Sequence, residues 1–177
     1  TQHVAVAGQR SRLVEHCLWG RTSLTECFEL DNGRTIFFEI QPRSFFQPNT
    51  KQGQQLAALV GRLARDVGVG ARVLDLYCGA GNLALCVAPF AAEVKGVELV
   101  ESAVEDAKNN AIKNGLTNVS FVAADVGAWL ETSEAQEWCR GVDLVLLDPP
   151  RAGLMGDAIA HVRAINADVI IGRQYDE

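Results

Sequence analysis

The segment Val73-Leu74-Asp75-Leu76-Tyr77-Cys78-Gly79-Ala80-Gly81-Asn82 constrains the fold of this chain more than any other. Its apolar first half predicts a buried strand, and its two glycines predict a tight turn that opens a helix. In α/β proteins such a turn binds a nucleotide-like ligand, because glycine lets the backbone approach closely and the helix N-terminus offers free N–H groups. The segment therefore predicts a ligand site at the carboxyl end of a strand.

Apolar strands and amphipathic helices alternate regularly after this turn. Strands are predicted over 72–77, 93–97, 119–123, 142–147 and 168–171, and helices over 82–88, 101–114, 126–138 and 155–166. This alternation predicts an α/β domain over 71–177, with a doubly wound, mostly parallel sheet covered by helices on both faces. Ligands of such sheets bind at the carboxyl ends of the strands.

A small antiparallel β segment is predicted before this domain, within residues 1–41. Asp31-Asn32-Gly33 is typical of a hairpin turn, because Asn-Gly adopts positive φ at low cost. Its flanks, 24–30 and 35–40, are rich in β-branched and aromatic residues, and a third strand is expected around 13–19.

Residues 42–70 are predicted to form a linker loop followed by a helix. Asn49 or Thr50 is expected to cap this helix, which runs to about Asp66. Its buried stripe is predicted to consist of Leu56, Leu59, Val60, Leu63 and Val67.

The linker loop contains the unusual sequence Phe45-Phe46-Gln47 between two prolines, which exclude a regular helix. One interpretation is a connection whose phenylalanines fill the edge of a core. The other is a loop folded over a ligand, with Gln47 as a polar contact. Composition alone favours the first interpretation.

Composition limits the classes of protein to which the chain can belong. Of its 177 residues, 48% are hydrophobic, yet no apolar run approaches the roughly 18–20 residues that span a bilayer. The five cysteines form no CxxC pair, which argues against a zinc site or a disulfide framework and favours the reducing cytoplasm. The net charge of −6 comes from residues 76–177, and the slight positive excess before them is too small to establish a polyanion site.

Polar residues stand at the carboxyl ends of four successive predicted strands. They are Tyr77, Glu98, Asp125 and Asp148. Glu98 lies 23 residues after Asp75, a spacing that suits a carboxylate accepting hydrogen bonds from ribose hydroxyls. Asp125 could contact an adenine amino group or cap the next helix, and Asn82 could cap its own helix or contact the ligand.

Two kinds of cofactor fit the turn. Gly79-Ala80-Gly81-Asn82-Leu83-Ala84 matches the dinucleotide pattern GxGxxG/A, which is a weak signal alone. The rigid segment Asp148-Pro149-Pro150 favours a methyltransferase, in which this strand end often faces the acceptor base. Arg151 stands where enzymes that methylate amino groups commonly have an aromatic residue that stacks on a flipped base, which argues against amino-group methylation.

Four ordered motifs resemble the RNA (uracil-5-)methyltransferase family. They are Ser44-Phe45-Phe46-Gln47, the segment from Leu74 to Asn82, Gly96-Val97-Glu98, and Asp148-Pro149-Pro150-Arg151-Ala152-Gly153. The resemblance covers roughly residues 40–171. It implies a Rossmann-like class I fold, S-adenosyl-L-methionine as cofactor, and methyl transfer to C5 of a specific uridine in rRNA or tRNA.

The resemblance also implies which residues contact the cofactor. With the glycines of the turn, the expected set is Gln47, Tyr77, Gly79, Gly81, Asn82, Glu98, Asp125 and Asp148. It thereby favours the ligand-binding interpretation of the Phe-Phe-Gln loop.

The catalytic residues of the family have no counterpart in the sequence. In the family, a cysteine in a Ser-Cys-Asn-Pro segment adds to C6 of uracil, and a carboxylate base removes the C5 proton. Here the matching strand runs into Gly172-Arg173-Gln174-Tyr175-Asp176-Glu177, so both groups are expected beyond Glu177. Cys78 is rejected as a substitute because its position belongs to the cofactor loop. The N-terminal RNA-binding barrel and the iron–sulfur cysteines of some members are likewise not expected within these 177 residues.

We therefore expect a C-terminally truncated methyltransferase that binds its cofactor but is inactive alone. The alternatives are a non-catalytic cofactor-binding paralogue or partner protein and, more weakly, an NAD-dependent oxidoreductase. The expected partner is an RNA substrate, with no membrane and no metal. The last strand is expected to be an exposed sheet edge through which the chain could dimerise.

Overall fold

The computed structural model describes residues 19–42, 46, 49–68, 70–149, 153–154 and 158–172 of the chain. A two-stranded antiparallel hairpin consists of β1 (Leu24–Glu29) and β2 (Thr35–Ile40), joined by the predicted turn. The remaining strands form one parallel sheet: β3 (Arg72–Leu76), β4 (Glu93–Glu98), β5 (Val119–Ala123), β6 (Leu144–Leu147) and β7 (Val169–Gly172).

The parallel sheet has the order β5-β4-β3-β6-β7. The chain therefore winds outward from β3 to β5 and then crosses to the other side of β3 for β6 and β7, which confirms the predicted doubly wound sheet. The helices are α1 (Thr50–Val67), α2 (Asn82–Val87), α3 (Glu101–Lys113), α4 (Val126–Leu130), α5 (Ser133–Trp138) and α6 (Ala158–Ile165). A short 3₁₀ helix over Ala88–Phe90 follows α2.

Apolar side chains of the central strands alternate between the two faces of the sheet. Val73 and Leu144 belong to a core shared with α1, α2, α3 and the hairpin. Leu74 and Val145 belong to a second core, beneath α4, α5 and α6. Both faces are buried, as a parallel sheet requires.

Helix α1 begins as predicted, but only part of its predicted buried stripe is fully buried: Val60 is buried, whereas Leu56, Leu63 and Val67 are half-buried and the prediction is wrong for Leu59. The side chain of Asn49 caps the helix by accepting a hydrogen bond from Gln52 N at 3.1 Å. The buried residues are Gly53, Ala57, Val60, Gly61 and Ala64, whereas Leu59 is 44% exposed. Small residues line this face because the helix packs closely on its neighbours: a Cβ at Gly61 would lie 3.2 Å from the ring of Phe90.

The single helix predicted over 126–138 is two helices. Thr132 separates them, because its hydroxyl donates to Trp129 O at 2.7 Å and accepts from Ala135 N at 3.1 Å. A local side-chain cap thus ends α4 and starts α5, in competition with continuous helical hydrogen bonding.

Two asparagines, one in α3 and one directly after it, connect the hairpin to the parallel-sheet domain. Asn110 exchanges two hydrogen bonds with the backbone of Glu39, at 2.8 and 3.2 Å. Asn114 does the same with Phe37, at 2.8 and 2.7 Å. The two amides occupy the edge of β2 as a neighbouring strand would, and we call this pair the asparagine clasp. The predicted third strand around 13–19 lies almost wholly outside the described residues, and the domain boundaries stay predictions.

Candidate functional site

The residues expected at the strand ends lie along one edge of the parallel sheet. Glu98 is the last residue of β4, Tyr77 and Asp148 directly follow β3 and β6, and Asp125 follows β5 by two residues. Because these strands are parallel neighbours in the order β5-β4-β3-β6, their carboxyl ends meet at the same edge.

The two predicted glycines of the turn have different structural roles. Both adopt left-handed backbone conformations, with φ of +54° at Gly79 and +80° at Gly81. A Cβ at Gly79 would meet no atom within 4 Å, so the space beside it is open. A Cβ at Gly81 would lie 2.9 Å from Cζ of Phe121 and 3.0 Å from Cβ of Ala107. Gly79 therefore leaves room for a ligand, whereas Gly81 makes room for the core.

Glu98 holds the turn against the end of β4. Its Oε2 accepts a hydrogen bond from Gly79 N at 3.0 Å, and its Oε1 accepts from Val100 N at 2.9 Å. Both oxygens are thereby oriented, and each keeps acceptor capacity for hydroxyl groups.

Two exposed apolar residues beside Glu98 were not predicted as part of the site. Leu99 is 65% exposed and Val100 is 52% exposed. The signal was present in the sequence, because two apolar residues directly follow an acidic strand end.

Asp75 is a candidate site residue that the sequence analysis used only as a reference for spacing. It is 1% exposed, its Oδ2 accepts from Ala84 N at 3.0 Å, and its Oδ1 has no hydrogen-bond partner among the described residues. Burial, together with the charges of Asp148 and Glu98, raises the pKa of Asp75 to about 8 against the opposing hydrogen bond from Ala84. This shift favours the protonated form of the carboxyl at neutral pH. An acidic residue inside an apolar strand was its signal in the sequence.

Asn82 is the first residue of α2, but it does not cap the helix. The N-cap is Gly81, and the buried Oδ1 of Asn82 has no partner among the described residues. The Asp75 carboxyl instead binds an N–H of the first turn of this helix. The capping role predicted as one alternative for Asn82 is therefore wrong, and contact with a ligand stays a prediction.

Asp125 has the capping role that was one of its two predicted alternatives. Its Oδ1 accepts from Ala128 N at 2.9 Å at the start of α4. Burial, and to a lesser extent the charge of Asp125, raises the pKa of Tyr77. Tyr77 itself adopts a left-handed φ of +63°, which a bulky side chain rarely does.

Gln47, Pro150 and Arg151 lie outside the described residues. Phe46 is described, and it packs on Phe28 and Phe38 with ring centroids 5.7 and 5.6 Å apart. At least this phenylalanine of the loop fills the core of the hairpin.

The buried thiols are poor nucleophiles. Burial raises the pKa of the Cys78, Cys86 and Cys139 side chains above that of a free thiol. Cys78 points beneath the turn, because a Cβ at Gly96 would lie 2.8 Å from its Sγ. Its rejection as a nucleophile agrees with this position.

Two surface grooves lie away from this edge and contain none of the expected site residues. One, of about 340 Å³, lies between β2 and α3 and is lined by residues such as Glu39 and Lys113. The other, of about 420 Å³, lies beside Arg72 and Trp138. Lys113 and Glu39 form an ion pair, and Arg72 stacks on Trp138 at 4.6 Å, so both grooves are lined by groups already paired with one another.

Within the described ranges, no three His, Cys, Asp or Glu residues are grouped to hold a metal ion. Nor does any described helix have the length and apolar character needed to cross a membrane.

The doubly wound sheet and its glycine turn, with Glu98 bonded to that turn, define a Rossmann-like fold of the kind found in class I methyltransferases. The model of the tRNA (uracil-5-)-methyltransferase family matches residues 4–172. The chain belongs to this family.

Individual relatives agree with this assignment. An uncharacterized RNA methyltransferase of Protochlamydia amoebophila is 38% identical over 168 residues, which are 93% of this chain and 38% of the relative. The 23S rRNA (uracil(1939)-C(5))-methyltransferase of Shewanella amazonensis is 43% identical over 126 residues, which are 71% of this chain and 27% of the relative. The chain thus spans about two fifths or less of the curated relatives that it matches.

A solved structure gives the same result for the fold. The tRNA (uracil-54, C5)-methyltransferase of Pyrococcus abyssi, in complex with S-adenosyl-L-homocysteine, superimposes with a TM-score of 0.69 at 30% identity. The match covers 88% of this chain and 35% of that protein.

Proposed function

We propose that this chain is the cofactor-binding part of an enzyme that transfers a methyl group from S-adenosyl-L-methionine to C5 of a uridine in rRNA or tRNA. The observation that carries the proposal is the bond between Glu98 and Gly79, which places an oriented carboxylate beside an open glycine turn. Membership of the uracil-5-methyltransferase family supports the reaction.

Features of the sheet edge fit this cofactor. The Glu98 carboxylate would accept hydrogen bonds from the two ribose hydroxyls, and Leu99 and Val100 would cover the apolar faces of the adenine. The buried, unpartnered oxygens of Asp75 and Asn82 would accept hydrogen bonds from its donor groups. When bound, S-adenosyl-L-methionine would supply an electrophilic methyl group on its sulfonium.

The proposed contact set keeps every residue expected from the sequence and adds one. It consists of Gln47, Tyr77, Gly79, Gly81, Asn82, Glu98, Asp125 and Asp148, with Asp75 as the addition. Gly81 contributes indirectly, through the shape of the turn. Because it has no side chain, Phe121 can pack closely against it. Asp125 can combine its capping bond with a contact to adenine, because it remains exposed.

The chain alone is proposed to bind the cofactor without methylating uridine. Uracil C5 becomes nucleophilic only after a thiolate adds to C6, and three of the four described cysteines are buried with raised pKa values. The fourth, Cys27, lies on β1 of the hairpin. The resemblance to the family supports the proposal that the nucleophile and the base lie outside residues 1–177.

RNA is the proposed substrate, and the cytoplasm is the proposed location. The four described cysteines are all free thiols, which suits a reducing compartment.

Isothermal titration calorimetry with S-adenosyl-L-homocysteine tests the cofactor site. We expect saturable binding to the 177-residue chain and a loss of at least tenfold in affinity for Glu98→Ala. Glu105→Ala, an exposed position on α3, is the matched control and is expected to bind normally. Absence of binding, or equal affinity in the wild type and Glu98→Ala, would overturn the proposal.

A further inference from the structure

Three carboxyl groups come from three adjacent strands at the proposed cofactor site. Asp75 lies in β3, Glu98 ends β4 and Asp148 follows β6, and both of these strands pair directly with β3. The charges of Glu98 and Asp148 are close enough to disfavour ionisation of Asp75. The site is therefore built to be strongly negative if all three groups ionise.

Asp75 has little to stabilise a charge within the protein. Its one hydrogen bond, from Ala84 N, leaves Oδ1 without a partner, and it forms no ion pair with a described residue. The thiols that face it, Cys78 in the turn and Cys86 in α2, are uncharged because their pKa values are raised. Every described charge that acts on Asp75 is thus negative.

We propose that Asp75 loses its proton to solvent when the positively charged S-adenosyl-L-methionine binds. The site therefore releases more protons on binding S-adenosyl-L-methionine than on binding S-adenosyl-L-homocysteine. This inference rests on the proposed function. It adds a means by which the site distinguishes the methylated cofactor from its demethylated product.

The charges of the two ligands give the physical reason. S-adenosyl-L-methionine carries a sulfonium, an ammonium and a carboxylate, for a net charge of +1, whereas the product lacks the sulfonium charge and is neutral overall. A nearby positive charge favours the ionised form of a carboxyl group. The Asp75 proton passes to solvent when the cation binds. After methyl transfer removes the sulfonium charge, Asp75 takes a proton back from solvent.

The exchange makes cofactor preference depend on pH. Asp75 of the free protein has a pKa of about 8, so below that pH the binding of the cation must displace a proton. The affinity for S-adenosyl-L-methionine therefore rises with pH and levels off above about pH 8. Because one unit of pKa difference between the two complexes corresponds to tenfold in affinity, the preference over the product should increase by about tenfold between pH 6 and 8.5.

Calorimetry in two buffers of different ionisation enthalpy measures the released protons directly. At pH 7 we expect about half a proton or more to be released with S-adenosyl-L-methionine and clearly less with the product. Sinefungin, which carries an amine in place of the methylated sulfur, should behave like the cationic cofactor. Asp75→Asn keeps an acceptor for Ala84 N but cannot ionise, and it should show neither the difference in proton release nor the change in preference with pH.

The possible outcomes separate this inference from the proposed function. If neither ligand binds, the proposed function fails. If both bind and the wild type releases equal numbers of protons with each, the exchange is overturned while the proposed function stands. The wild-type measurement is decisive without the variant, and Glu98→Gln, which removes one neighbouring charge, should lower the pH at which the preference levels off.

Discussion

The carboxylate of Glu98 accepts a hydrogen bond from the backbone N–H of Gly79 at 3.0 Å, which ties the end of β4 to the turn after β3. The bond joins an acidic strand end to the glycine whose left-handed backbone leaves open space. The proposed ribose-binding carboxylate is thus oriented before any ligand binds, so less ordering is needed on binding.

Stability should fall with rising pH because of Asp75. Between an unfolded pKa near 3.8 and the folded value of about 8, the folded state holds a proton that the unfolded state has lost. The sign of the linkage makes unfolding easier as pH rises through this window, by at most about 1.4 kcal/mol per unit from this group. Urea unfolding at pH 5, 7 and 8.5 should show a flatter profile for Asp75→Asn than for the wild type, and parallel profiles would contradict the prediction.

The two glycines of the turn should respond differently to alanine. Gly81→Ala combines a positive φ with contacts of 2.9 Å to Phe121, and we expect a loss of about 2–4 kcal/mol in the free energy of unfolding. Gly79→Ala meets only the backbone cost, about 1–2 kcal/mol, but puts a methyl group into the open space. Denaturant unfolding should therefore single out Gly81→Ala, whereas calorimetry on folded protein should find weaker binding of S-adenosyl-L-homocysteine by Gly79→Ala. The reverse pattern would refute this assignment of roles.

The asparagine clasp should contribute unequally at its two positions. Asn110 is 1% exposed, so Asn110→Ala would leave the N–H and C=O of Glu39 without partners and cost about 2–3 kcal/mol. Asn114→Ala, at a more exposed site, should cost about 0.5–1.5 kcal/mol. Hydrogen exchange at the Glu39 amide should accelerate in the first variant. Unchanged protection there would show that the hairpin is held by its apolar contacts alone.

Self-association through β7 is a further prediction. This strand pairs only with β6 among the described strands, and its Ile170 is 45% exposed. A lysine at an exposed edge disfavours pairing with a second chain, so Ile170→Lys should lower the average mass in sedimentation at high concentration. Ile159→Lys, at an equally exposed position on α6, is the matched control. A wild-type chain that remains monomeric at high concentration would rule out the edge contact.

Local signals predicted those parts of the fold that local chemistry determines. Asn32-Gly33 fixed the hairpin turn, and the alternation of apolar segments indicated the doubly wound sheet. The stripe of α1 was predicted from large apolar residues, but close packing on Phe90 selects small ones, which only the tertiary contact reveals. The break at Thr132 depends on a hydroxyl that could equally have faced solvent.

The site was predictable in position but not in electrostatics. Glu98 and Gly79 were expected at one edge from the strand pattern, and they lie there. The raised pKa of Asp75 could not be read in full from its own segment, because β4 and β6 bring two more carboxyl groups beside the buried side chain. A polar residue in an apolar strand is the feature that would find such groups in related sequences.

The asparagine clasp determines which edge of the hairpin can pair with another strand. With the outward N–H and C=O groups of Phe37 and Glu39 bound by side-chain amides, β2 has no free backbone there to offer another strand. Any strand that extends this small sheet, from elsewhere in the polypeptide or from another molecule, must therefore pair along β1. The two asparagines at the end of α3 thus leave β1 as the edge at which the hairpin can pair with a further strand.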